Sequence, residues 1–173
     1  TISRFINAKF INLKTDAEKG IGPELCKKYQ IPASYPTVLF LNSEGAEIDR
    51  IVGLFRKEDY FKTIQDYAHG KNTFAALLSR LPHEKNNATL NFKIGKKYRE
   101  RGSWKQATQY YEKALSYEKY AKDRAIWWDI GIAYFKLGEF RKAEKAISKA
   151  VELDPDNPYL KRFLSEIKTE SGK

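Results

Sequence analysis

Apolar positions follow two rhythms along the chain. In the first seventy residues they come in short blocks. Phe5, Ile6, Phe10, Ile11 and Leu13 predict a short helix end followed by a strand that closes at Asp16. Pro23 suits the first turn of a helix, where its missing N–H costs nothing, and that helix runs through "PELCKKY" with Leu25, Cys26 and Tyr29 inward. "TVLFL" is a short, continuously apolar run rich in β-formers. "NSEG" supplies a turn and "AEIDRIVG" alternates, so the two runs predict a hairpin. "RKEDYFKTIQDYAHG" predicts an amphipathic helix carrying Tyr60, Phe61, Ile64 and Tyr67 and stopping at Gly70. Pro36 stands just before "TVLFL", where a proline can end a loop and enter a sheet. A cis Tyr35–Pro36 bond would turn the chain sharply there.

In the second half the rhythm becomes helical and repeats itself. "NFKIGKKYRERGSWKQATQYYEKAL" aligns with "WWDIGIAYFKLGEFRKAEKAISKAV" at a constant offset of 36 residues. The offset relates Ile94 to Ile130, Gly95 to Gly131, Tyr98 to Tyr134 and Gly102 to Gly138. It also relates Trp104 to Phe140, Ala107 to Ala143 and Ala114 to Ala150. Each residue type has a task. Gly95 and Gly131 let two helices approach closely, and Gly102 and Gly138 end the first helix of each pair. The alanines leave room for the facing aromatics, and Pro155 stops the last repeat helix. Leu160, Phe163, Leu164 and Ile167 mark a terminal amphipathic helix that caps the stack, and "NTFAALLSRL" predicts a further short helix.

Composition limits the chemistry. The chain has 173 residues and a net charge of +10. Residues 71–122 hold 12 Lys and Arg against 4 Asp and Glu, while residues 1–70 hold 10 against 9 and residues 123–173 hold 10 against 9. The excess therefore sits on the linker and first repeat. Such an excess is first of all a solvated helix face; it leaves an acidic ligand open without naming one, and no recognisable module makes it a nucleic-acid site. Cys26 is the single cysteine, which excludes an internal disulfide, a C-x-x-C pair and a cysteine metal cluster. His69 and His83 are read as surface residues, and no metal or cofactor is expected. No apolar run is long enough to span a membrane. The N-terminus shows no signal-peptide pattern, but the chain begins at Thr1 and contains no methionine, so the compartment stays open; the periplasm, secretion and the cytoplasm are all compatible.

Two family resemblances follow from these residues. The glycines, alanines and aromatics of the repeat resemble the tetratricopeptide pattern. Residues 124–157 carry Trp127, Ile130, Gly131, Ala133, Tyr134, Gly138, Phe140, Ala143, Ala150 and Pro155 at its places. Residues 88–121 are looser, with Asn91 at the early aromatic position and "YEKYAKD" lengthening the period. The second resemblance is to the C-terminal part of a thioredoxin-like domain, over residues 1–69. It rests on the strand ending at Asp16, the "ELCKKYQI" helix, "YPT", "LFLNSEG" and Gly53. The first strand and redox motif of that family are absent. The expected fold class is thus α+β joined to α: an incomplete thioredoxin-like domain at 1–70, a linking helix and loop at 71–87, and an all-α stack of two tetratricopeptide repeats with a cap at 88–173.

The tetratricopeptide resemblance implies a protein- or peptide-binding module whose first helices line a concave surface. Repeat-groove candidates are Phe92, Lys93, Lys96, Arg99, Trp128, Asp129 and Ile132. Trp128, Ile132 and Phe135 make an apolar stripe, with packing of Trp128 on Phe92 as one reading and a ligand or subunit contact as the other. A branch of the family clamps C-terminal carboxylates with Lys, Asn and Arg. The matching positions here carry Phe92, Lys96 and Asp129, so that clamp is incomplete. The thioredoxin-like resemblance implies a polypeptide-contact loop at Tyr35, Pro36 and Thr37. Cys26 falls at a core position, not the redox position. The expected function is a non-catalytic, two-module protein- or peptide-binding chain. The alternative is a fragment of a thiol-disulfide oxidoreductase or isomerase whose cysteine motif lies upstream. The absent first strand would leave "KFINL" without backbone partners, so a neighbouring chain or a missing piece is expected to complete the sheet, direct pairing of "KFINL" with "TVLFL" in a rearranged sheet being the other solution.

Overall fold

A computed structural model describes residues 2–31 and 36–172. The chain divides into two compact units, residues 1–79 and 80–173.

In the first unit, α1 (Ile2–Lys9) and α2 (Gly22–Lys28) precede a hairpin of β1 (Thr37–Leu41) and β2 (Glu47–Val52), followed by α3 (Lys57–Ala68). The helix α4 (Phe74–Arg80) begins here. The strands pair antiparallel, Thr37 with Val52 and Phe40 with Asp49, and then the register shifts so that Leu41 faces Glu47. Ile48 is the extra residue of a bulge. The shift puts Glu47 on the same face as Arg50. The Arg50 guanidinium donates from Nε to Glu47 Oε1 at 2.9 Å and from Nη2 to the Tyr29 carbonyl at 2.7 Å. On the opposite face Phe40, Ile51, Ile64 and Tyr67 form a small core with Phe5, Ile6, Phe10, Val38 and Tyr60 around it. Asp49 is fully buried, and its Oδ2 accepts from the Phe74 N–H at 2.8 Å, so the hairpin caps the start of α4. Pro36 ends the loop as its position suggested, because its carbonyl accepts from Gly53 N at 2.8 Å. The cis Tyr35–Pro36 bond and Tyr35 itself lie outside the described residues.

This unit corrects the thioredoxin-like expectation. The sheet among the described residues has two strands, in the order β1-β2. The strand expected to end at Asp16 does not form. The chain is helical to Lys9 and then irregular, and Ile11 and Leu13 are exposed to 103% and 76%. The reason is physical: a lone strand with no neighbour cannot satisfy its N–H and C=O groups in an interior, so the segment stays in water. The α+β fold class is revised accordingly to a predominantly helical chain with one hairpin. The redox role that depended on the resemblance falls with it. Cys26 is half-buried in α2, not enclosed in a core.

The second unit is a stack of helical hairpins: α5 (Ala88–Glu100), α6 (Trp104–Leu115), the short α7 (Glu118–Ala121), α8 (Arg124–Lys136), α9 (Phe140–Leu153) and α10 (Pro158–Ser171). Asn87, Asp123 and Asn157 start α5, α8 and α10, each accepting a backbone N–H on its side-chain oxygen. Gly102 and Gly138 close the first helix of each hairpin with φ of +69° and +74°. In both turns the next residue donates five positions back, Ser103 to Tyr98 and Glu139 to Tyr134, each at 2.9 Å. Gly95 and Gly131 do what the repeat required. A Cβ on Gly95 would lie 2.7 Å from the Tyr111 ring, and one on Gly131 would lie 2.7 Å from Ile147 Cγ1. Tyr111 and Ile147 are themselves fully buried.

These contacts generate a stability order. Gly131→Leu forces a side chain into the α8–α9 crossing and is expected to cost about 1–3 kcal/mol. Lys96→Ala, which removes a half-exposed charge, should stay within about 0.5 kcal/mol. Denaturant melts of the two variants measure the order, and equal losses would show that Gly131 is not in a tight crossing.

Candidate functional site

The side chains singled out for the repeats gather on one face of α5 and α8. Phe92, Lys96 and Arg99 recur at i, i+4 and i+7 of α5, and Trp128, Ile132 and Phe135 take the same places on α8. All six are half-buried, whereas Ile94 and Gly95 on α5 and Ile130 and Gly131 on α8 are fully buried against the second helices. The faces adjoin through an inter-helix ion pair, Arg99 Nη1 to Asp129 Oδ1 at 3.6 Å. Lys93 is also half-buried on α5.

The aromatic contacts set how much of each side chain is free. Phe92 packs on Tyr111 and Tyr120, with centroids at 5.9 and 5.2 Å, and Lys96 Nζ lies 5.9 Å above its ring. Trp128 packs on Phe163 of α10 at 5.2 Å, and Phe135 meets the same ring at 5.3 Å. The ring that Trp128 meets is therefore that of the terminal helix, and Phe92 is held by the residues around it. Tyr120 comes from α7, the extra turn between the repeats, and its hydroxyl donates to Thr89 Oγ1 at 3.1 Å.

Beneath this face lies a polar knot. Asp129 is buried, and the Tyr111 hydroxyl donates to its Oδ2 at 3.4 Å. Burial raises the Asp129 carboxyl above the ordinary carboxylate range, against the opposing pull of Arg99 and Lys96. Burial likewise drives the Tyr111 phenol well above its usual value, with the Asp129 charge acting in the same direction. The carboxylate thus meets a guanidinium and a phenol, and the Lys96 charge acts on it from beyond ion-pairing distance. It is an acceptor held inside the protein, not a group displayed to solvent.

Three residues of this arrangement were not singled out from the sequence as parts of the site: Tyr111, Tyr120 and Phe163. A signal existed for one of them. The caps Asn87, Asp123 and Asn157 mark α10 as the first helix of a further unit, which puts Phe163 in phase with Asp129. The loop candidates Pro36 and Thr37 are in the other unit; Pro36 is exposed, and Thr37 pairs with Val52. Among the described residues no group of His, Cys, Asp and Glu could hold a metal ion, and no helix is long and apolar enough to cross a membrane.

The geometry defines the class of protein: an α-helical hairpin-repeat scaffold. Comparison with known proteins adds a match over part of the chain. The tetratricopeptide repeat family model matches residues 98–167, wholly inside the second unit. Among solved structures, the chain is similar to the first TPR domain of Spaghetti (RPAP3) bound to the HSP90 peptide SRMEEVD, with 19% identity and a TM-score of 0.53 over 67% of this chain and 87% of that one. MamA is similar at 20% identity and a TM-score of 0.54, over 69% of this chain and 67% of that one. The TPR domain of Arabidopsis OM64 is similar at 20% identity and a TM-score of 0.51, over 65% of this chain and 87% of that one. These likenesses show the fold. No curated protein matches the sequence.

The knot predicts a titration. Because the folded carboxyl of Asp129 is raised, its protonation favours the folded state. Its contribution is fully present below the unfolded aspartate range and is lost as pH rises through the folded value. Carbon-detected NMR titration should place Asp129 above the value of an aspartate in an unfolded chain, and Asp129→Asn should remove this slope from the pH–stability curve. An Asp129 titrating at or below the ordinary range would contradict it.

Proposed function

We propose that this chain is a non-catalytic polypeptide-binding module that receives its ligand on the shared face of α5 and α8. The observation that carries the reading is the matched stripe of half-buried side chains, Phe92, Lys96 and Arg99 beside Trp128, Ile132 and Phe135. Phe92, Trp128 and Phe135 pack against the repeat core on one side and stay partly exposed on the other, which leaves apolar surface for a ligand. The similar fold of the first TPR domain of Spaghetti (RPAP3), which is described as bound to an HSP90 peptide, supports a peptide as the kind of ligand. Apolar side chains on α8 provide the contact area, and the cations of α5 provide orientation. Asp129 works from below by holding Arg99 in place. The loop at Tyr35, Pro36 and Thr37 has no part in this reading, since its suggested role came from the thioredoxin-like resemblance.

Peptides selected from a random library on the full chain test the reading. Trp128→Ala should weaken the selected peptide by more than about tenfold, on the scale of a loss of about 2 kcal/mol for an aromatic anchor. Lys149→Ala on α9 should leave the affinity as it was. Circular dichroism establishes that both variants keep their helices. A Trp128→Ala chain with native helicity and unaltered affinity would contradict the proposal.

A further inference from the structure

We infer that the α5/α8 face reads an internal acidic segment, one carboxylate side chain flanked by aromatic or aliphatic anchors, and not a free chain terminus; the inference rests on the polypeptide-binding reading above. The face is divided lengthwise. Its α5 side carries Lys96 and Arg99, and its α8 side carries Trp128, Ile132 and Phe135. The division continues a larger asymmetry, because residues 71–122 hold 12 Lys and Arg against 4 Asp and Glu, and residues 123–173 hold 10 against 9. Charge complementarity therefore asks for an acidic ligand edge on α5 and an apolar one on α8.

The number of carboxylates is set by what the cations already do. Arg99 is neutralised from within by Asp129 at 3.6 Å, and the Tyr111 hydroxyl holds that carboxylate from its other oxygen. Lys93 is engaged inside the protein. Lys96 differs: its ammonium lies over the Phe92 ring at 5.9 Å, and among the described residues no carboxylate is within ion-pairing distance of it. It is the cation of the face left to meet a ligand. An acidic C-terminal residue brings two carboxylates close together, one from the side chain and one from the chain end. The second would stand without a counter-charge beside Asp129. An internal glutamate or aspartate brings one, with neutral peptide groups on both sides to lie along the apolar half.

Two random twelve-residue libraries test this, one held between constant domains and one ending in a free carboxylate, both selected on the full chain. The expected result is recovery from the internal library of sequences enriched in Asp or Glu next to Phe, Trp, Leu or Ile. An amidated synthetic copy should bind about fivefold more weakly when its Glu is replaced by Gln, as expected for one partly shielded ion pair. That Glu-to-Gln difference should vanish in the Lys96→Gln chain and persist in Lys149→Gln. Binders from the free-end library alone, acid-free binders, or a difference that survives Lys96→Gln would overturn the inference while leaving the polypeptide-binding reading intact. Binders from neither library would overturn both.

Discussion

The close crossing of paired helices at two glycines is the constraint on which the repeat unit rests. Gly95 lets the Tyr111 ring into the α5–α6 crossing, and Gly131 does the same for Ile147 between α8 and α9. Interiors are packed to near-crystalline density, so a contact this short admits no extra methyl group without a shift elsewhere. The turn glycines and the side-chain caps fix where each helix starts and stops. With length and crossing both set, the side of α5 and α8 turned away from the second helices is determined, and it is there that Phe92, Lys96, Trp128 and Ile132 stand half-buried.

Polar groups then join one repeat to the next. Arg99, Asp129 and Tyr111 belong to three helices, and removing Asp129 takes away the carboxylate that both the guanidinium and the phenol meet. The Tyr134 hydroxyl donates to Glu112 of α6 and binds the repeats together a second time. The longer loop between the repeats adds packing: it makes α7, whose Tyr120 covers Phe92. The wide apolar arc of α8 has two destinations, its buried side against α9 and its half-buried side against Phe163 and the shared face.

How much of this was legible in the sequence depends on whether the signal was local. The repeat offset, Gly95, Gly131, Gly102, Gly138 and the terminal helix could all be read, since a close crossing or a left-handed turn demands a residue type at a fixed place. The hairpin and α3 were read from alternation and periodicity in the same way. The segment Phe10–Leu13 does not form the strand its apolar residues suggest, because they say only that it could pair, and pairing depends on a neighbour that local pattern does not reveal. The thioredoxin-like expectation was built on that strand and fell with it. Tyr111, Tyr120 and Phe163 escaped because each acts across a helix–helix contact. The candidate positions on α5 and α8 came from the tetratricopeptide resemblance, which says nothing of the engagement of Arg99 by Asp129 that sets which cation is left on the face.

The three tryptophans provide the most direct measurement of the central claim, that ligand binds on the shared face of α5 and α8. With 5-fluorotryptophan in the full chain, Trp104, Trp127 and Trp128 give separate fluorine resonances, and single substitutions assign them. The Trp127 indole N–H is tied to the Ala121 carbonyl at 2.8 Å, away from the Trp128–Ile132–Phe135 stripe. Saturation with a selected peptide should move the Trp128 resonance strongly and leave Trp104 and Trp127 close to their free positions. A Trp128 signal that stays in place while a peptide is bound would contradict the account.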